Sequence, residues 1–122
     1  MNTPGSVLAH LRVLLAGLVG EYTTPAGSKF PALRVTDPPS DWRITSGVEV
    51  VISQETDPTT EPLLNGEFHM RGTVFVRVIG HGMARLDPIV ELILSAWPDA
   101  ESRHIPGTDE ILPQTTIRIP RR

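Results

Sequence analysis

The sequence predicts an α+β domain: a mostly antiparallel sheet covered on one face by two helices. Three observations carry this reading. Apolar residues recur at helical spacing from Val7 to Val19 and again from Leu86 to Trp97. Residues 47–55 and 70–80 alternate in the manner of half-buried strands. The linear order is α-β-β-β-α-β, and two helices suffice to cover one face of such a sheet.

Each element has a local reason. Ser6 is the expected cap of a first helix that runs to about Tyr22. Val7, Leu8, Leu11, Leu14, Leu15, Leu18 and Val19 form a stripe broad enough to lie on a sheet, while His10, Arg12 and Gly17 fall off it. Residues 23–28, TTPAGS, break the helix. Residues 32–35 predict a short strand. Residues 36–47 predict a loop, because Pro38-Pro39 cannot join a central ladder. In the strand 47–55, Val48, Val50 and Ile52 point one way, and Glu49, Val51 and Ser53 the other. Residues 56–69 then form a long hairpin arm with two prolines and an Asn65-Gly66 turn signal. In the strand 70–80, Val74, Val76 and Val78 share one face, opposite Thr73, Phe75, Arg77 and Ile79. Asp87 and Pro88 suit the cap and first turn of the second helix, which begins there or a turn earlier, near Ala84. That helix ends at Trp97, before Pro98, and buries Leu86, Ile89, Val90, Ile93, Leu94 and Trp97. Residues 98–114 read as a second long loop, and residues 115–120 as a closing strand.

A length of 122 residues suits a single domain, residues 1–122. A chain of this size buries roughly two-thirds of its unfolded surface. Cysteine is absent, which excludes disulfides and thiolate metal sites and fits a reducing cytoplasm. The formal charge of −3 leaves no basic excess for general phosphate binding. No apolar run reaches the ~18 residues of a membrane span, so no membrane partner is expected. The first 22 residues lack Lys or Arg before their apolar stretch and carry His10 and Arg12 within it, which is unlike a secretory signal.

The candidate chemistry is sparse. In Gly80-His81-Gly82, His81 has a side chain suited to a general base. The plainer reading is a strand-to-helix turn with His81 exposed at its tip, because no second motif can be placed beside it. The surrounding VIGHGMARLD lacks the spacing of a phosphate-binding loop. Asp87 and Glu91 share a helix face, but first-turn acids suit the helix dipole without a metal. Loop 101–110 carries Glu101, His104, Asp109 and Glu110, and the four histidines show no paired metal-ligand spacing. Six aromatics are too few for a base-stacking array. The expectation is therefore no catalytic residue, no metal and no cofactor. The alternative is a small enzyme or ligand-binding domain that uses the His81 turn and loop 101–110.

The arm is more informative. From Glu55 to Glu67 it carries Glu55, Asp57, Glu61 and Glu67, no Lys or Arg, and an apolar pair, Leu63-Leu64. Such a segment has little to bury by itself and orders against a partner. The layout of amphipathic helix, extended segment, WRITSGVEVVISQE, arm, GTVFVRVIG, LDPIVELILSAWP and QTTIRIP resembles the tail terminator (tail completion) proteins of long-tailed bacteriophages. The resemblance covers most of the chain as a pattern of elements. It implies a non-enzymatic ring of identical subunits, usually six, on the end of the tail tube. It further implies contacts with the tail tube protein and with a head-completion or neck protein, and a place at the tail–neck junction of the virion after assembly in the host cytoplasm. DNA would pass through the lumen without specific binding. An acidic arm, or a sheet face carrying Glu49 turned to the lumen, would repel the passing phosphates.

Overall fold

The computed structural model describes residues 2–56, 61–62, 68–69 and 72–120. The first helix, α1 (Pro4–Leu14), starts earlier than Ser6. Thr3 is its cap: Thr3 Oγ1 accepts from the Ser6 N–H at 3.1 Å, and Ser6 Oγ accepts from the Thr3 N–H at 2.9 Å. This reciprocal box, with Pro4 in the first turn, satisfies two otherwise free donors. The helix stops at Leu14, well short of Tyr22. Gly17 takes a left-handed φ of 77°, which ends the helical path although the apolar spacing continues. Val7, Leu11 and Leu15 are buried, whereas Leu18 is half exposed, so the stripe is narrower than its sequence suggests.

The chain then forms a small antiparallel ribbon, β1 (Glu21–Thr23) with β2 (Lys29–Pro31), turning through residues 24–28. The segment expected only to break a helix is thus a hairpin turn. Next come β3 (Leu33–Val35) and β4 (Gly47–Thr56), the latter followed by two-residue strands β5 (Glu61–Pro62) and β6 (Phe68–His69) that pair with each other. After β7 (Gly72–His81) lies the second helix, α2 (Asp87–Ala96), and then β8 (Glu101–Ile105) and β9 (Gln114–Ile119). The main sheet has the order β3-β4-β7-β9-β8. The β3–β4 pair is parallel and the other pairs are antiparallel.

Sheet parity builds the core. Val50 opposes Val78, Ile52 opposes Val76, and Val76 opposes Ile117, so these side chains share a face. They form one apolar cluster with Val7 and Leu11 of α1 and with Ile89 and Ile93 of α2. The alternation expected for both long strands is therefore the alternation found.

Two boundaries differ from the sequence reading. Asp87 is the first helical residue of α2 and not its cap; Leu86 holds the cap position and makes no side-chain cap bond. Leu86 is only 6% exposed, so burial rather than capping fixes where this helix begins. Residues 101–105 form a strand, not part of a loop. Their five side chains are all exposed, so β8 exists through its ladder to β9 and leaves no apolar signature.

Gly20 and Gly47 mark a close crossing. A Cβ added to Gly47, whose φ is 97°, would sit 2.7 Å from Gly20 Cα. Gly20 N–H donates to Val48 O at 2.9 Å, and Ala32 N–H donates to Gly20 O at 2.8 Å. The crossing pins the end of the α1 connection to the start of β4.

The ends of the described chain meet at Trp97. Its ring centroid lies 4.7 Å from that of His10 on α1, and Nε1 donates to Asn2 Oδ1 at 3.3 Å. Asn2 Nδ2 in turn donates to Pro120 O at 2.9 Å. Trp97, expected on the buried face of the second helix and packed on the sheet or the first helix, meets the first helix but is only partly buried.

Two stability outcomes follow from this packing. Trp97→Ala should cost about 2–3 kcal/mol in denaturant unfolding, below the roughly 3–5 kcal/mol of a fully buried aromatic. Gly47→Ala combines a left-handed φ with a backbone collision and should cost about 1–3 kcal/mol or more by the same measurement. A neutral Gly47→Ala would show that the crossing relaxes freely.

Candidate functional site

Three polar side chains converge on the sheet face opposite the valine core. Tyr22 of β1 donates its hydroxyl to Glu49 Oε2 at 2.5 Å. His81 Nε2 lies 2.9 Å from Glu49 Oε1, so a proton on Nε2 completes a second hydrogen bond to the carboxyl group. The register explains the meeting. His81 sits opposite Gly47, and Glu49 opposite Ile79, which makes His81 and Glu49 diagonal neighbours on one face. Gly47 contributes no side chain between them.

This corrects the expectation for His81. His81 is the last residue of β7 and its side chain is 15% exposed, so it is not an exposed tip. A partner does lie beside it, in Glu49 and through it Tyr22. Glu49, the candidate lumen-facing acid, is only 7% exposed in this chain and is held on both oxygens. The residues of loop 101–110 are placed elsewhere. Glu101 opposes Arg118 in the outermost ladder, His104 Nδ1 lies 2.9 Å from Thr115 Oγ1, and the Glu110 N–H donates to Thr108 Oγ1 at 3.3 Å. Among the described residues, no three His, Asp or Glu side chains gather at metal-binding distance.

Burial and the neighbouring Glu49 carboxyl push the Tyr22 hydroxyl above its ordinary value, because each disfavours the phenolate. Tyr22 therefore stays a hydrogen-bond donor. The cluster reads as a polar tie between the β1 ribbon and the sheet.

A groove of ≈ 520 Å³ opens beside Tyr22, along the outer edge of β3. Its walls are Leu8 and Arg12 of α1, Phe30 and Pro31 of β2, Leu33, Arg34 and Val35 of β3, and Trp42. Phe30 stacks on Trp42 at 5.2 Å and 11°, and the Arg34 guanidinium lies 5.2 Å from the Trp42 ring centroid. Arg34 Nε is buried with no hydrogen-bond partner among the described residues. Further along the Glu49 face of the sheet, Arg77 and Asp37 pair at 2.8 Å, but both are well exposed and such a pair adds little stability.

The arm residues divide. Glu55 pairs through its backbone with Thr73 near the end of β4, and Glu61 pairs with His69. Asp57, Leu63, Leu64 and Glu67 lie outside the described residues, as does the Asn65-Gly66 turn signal. Sequence reasoning did not find Tyr22, Phe30, Trp42, Arg12 or Arg34 as a group. The one available signal was that three of only six aromatics fall within residues 22–42.

No family model matches this chain, and no curated protein or solved structure matches it.

Tyr22 is the sole tyrosine, so its titration is directly readable. Its pKa is higher in the folded chain than in the unfolded one, whose value is about 10. Its contribution to stability is thus complete below pH ~10 and is lost as pH rises beyond it. Phenolate absorbance should stay low in the folded protein above pH 10 and appear on unfolding; ordinary titration while folded would contradict the buried tie. Glu49→Ala, which leaves the Tyr22 hydroxyl buried and unpaired, should cost about 1–3 kcal/mol in denaturant unfolding.

Proposed function

We propose that this chain is a structural subunit of a bacteriophage tail, the terminator, acting without catalysis. Copies close head to tail into a ring of six on the end of the tail tube. One face matches the tube protein and blocks further tube subunits; the other meets a head-completion or neck protein. DNA passes through the lumen without specific binding, at the tail–neck junction of the virion.

The observation that best supports this reading is the reach of the β4–β7 hairpin. β3 pairs with β4 only as far as Ile52, and β9 pairs with β7 only from Val74 onward. The pairs Glu55–Thr73 and Thr56–Gly72 therefore stand beyond the sheet, held by each other alone among the described strands. From Gln54, the last position flanked by β9 through Val74, to Thr56 this is about 7 Å of ribbon. A paired ribbon that leaves its own core suits a subunit whose contacts are made with neighbours. The lumen charge, in this reading, comes from the arm and not from Glu49.

Tail-tube assembly with and without the chain tests the proposal. Tubes should stop at a uniform length when it is present and overrun when it is omitted, with rings of six times the 13.4 kDa subunit mass at their ends. Equal tube lengths under both conditions would sink the reading. The alternative, a small enzyme or ligand-binding domain, draws its support from the His81–Glu49 pair. His81→Ala should leave tube-length control intact if the terminator reading is right.

A further inference from the structure

We infer that the groove along β3 is the receptor for the acidic arm, residues 55–67, of a second copy of this chain. The inference rests on the ring reading and supplies its interface.

Charge is the first argument. The groove carries Arg12 and Arg34, and neither has a carboxylate within ion-pair distance among the described residues. Arg34 Nε is buried and unpartnered there as well. A cation partly removed from water seeks an anion or an acceptor. The arm is the complement: four acids, no Lys or Arg, and the apolar pair Leu63-Leu64. The groove has apolar surface for that pair in Leu8, Phe30 and Trp42. Phe30 is 45% exposed although it stacks on Trp42, so this surface is still open to a partner.

Position is the second argument. Leu33, Arg34 and Val35 lie opposite Val50, Val51 and Ile52, and Tyr22 reaches Glu49, so the groove runs beside residues 49–52 of β4. The arm departs at the other end, past Thr56. From the groove's two ends, opposite Ile52 and Val50, to Thr56 the strand runs about 13 and about 20 Å. A chain whose projecting part and receptor are two different places on its surface joins its neighbours head to tail. Such an interface propagates and closes into a ring when the rotation permits. The groove also follows β3, an end strand of the sheet, whose outer side suits an extended segment laid alongside it.

The chain has no cysteine, so introduced thiols report the contact unambiguously. Full-length Leu63→Cys and full-length Phe30→Cys are mixed and oxidised; Leu64→Cys repeats the test if the first variant folds poorly by circular dichroism. The expected product is a mixed disulfide dimer. It should be lost in high salt and lost when the Phe30→Cys chain also carries Arg12→Glu and Arg34→Glu. A Leu63→Cys/Phe30→Cys double variant should give an interchain ladder. Absence of the mixed dimer, a dimer indifferent to salt and to charge reversal, or a disulfide within one chain of the double variant would each overturn the inference. A tail-tube segment or another apolar molecule as the true occupant appears as the first of these outcomes. Tube-length control separates the two claims. Control without the cross-link removes the groove assignment and spares the terminator reading; the cross-link without control does the reverse.

Discussion

The ten-pair antiparallel ladder between β4 and β7 is the constraint from which the rest of the molecule follows. Its register fixes which side chains share a face. On one side it stacks Val48, Val50 and Ile52 beside Val74, Val76 and Val78, and buried residues of both helices join them in one apolar cluster. On the other side the same register sets His81 diagonal to Glu49. A slip of one residue in either strand would turn the valines outward and separate the polar pair together. At its far end the ladder outlasts its neighbours and becomes the arm. Core, polar tie and projection are three consequences of one pairing.

A second constraint is local. Between α1 and β3 the chain must pass tightly across the start of β4, and two glycines permit the approach. That passage carries Tyr22 to Glu49 and sets the β1 ribbon beside the sheet edge. The groove is what remains between the ribbon, the end of α1 and β3. Its aromatic floor is held by stacking of Phe30 on Trp42 and by Arg34 over the same indole.

The elements that buried an alternating or helical face were legible in the sequence. β4, β7, β9 and the body of α2 lie within a residue or two of their expected places, because each presents apolar side chains at one period. The elements held by backbone pairing alone were not. β8 has five exposed side chains, and the β1–β2 ribbon buries little besides Tyr22, so neither writes its period in hydrophobicity. The end of α1 was misread because Leu18 keeps helical spacing after Gly17 has turned the chain away. Glu49 was assigned to the correct face, but its environment depends on Tyr22, twenty-seven residues earlier, and on His81, thirty-two later. No local pattern encodes contacts at such separations. The arm was recognised by composition, whereas its proposed receptor was invisible because its walls come from α1, β2, β3 and a loop.

The Asn2 side chain bonds to Trp97 and to the carbonyl of Pro120, which stitches the two ends of the described chain into one corner. A polypeptide continuing from either end would emerge there, beside α2 and β9 rather than beside β3. A short linker could therefore join the ends without disturbing the sheet, and new ends could be opened elsewhere. Opened within residues 57–60, such a permuted chain would keep both halves of the β4–β7 ladder and the β5–β6 pair but break the arm's covalent link to β4. Fold and reach, which the natural connectivity delivers as one object, would then be separable.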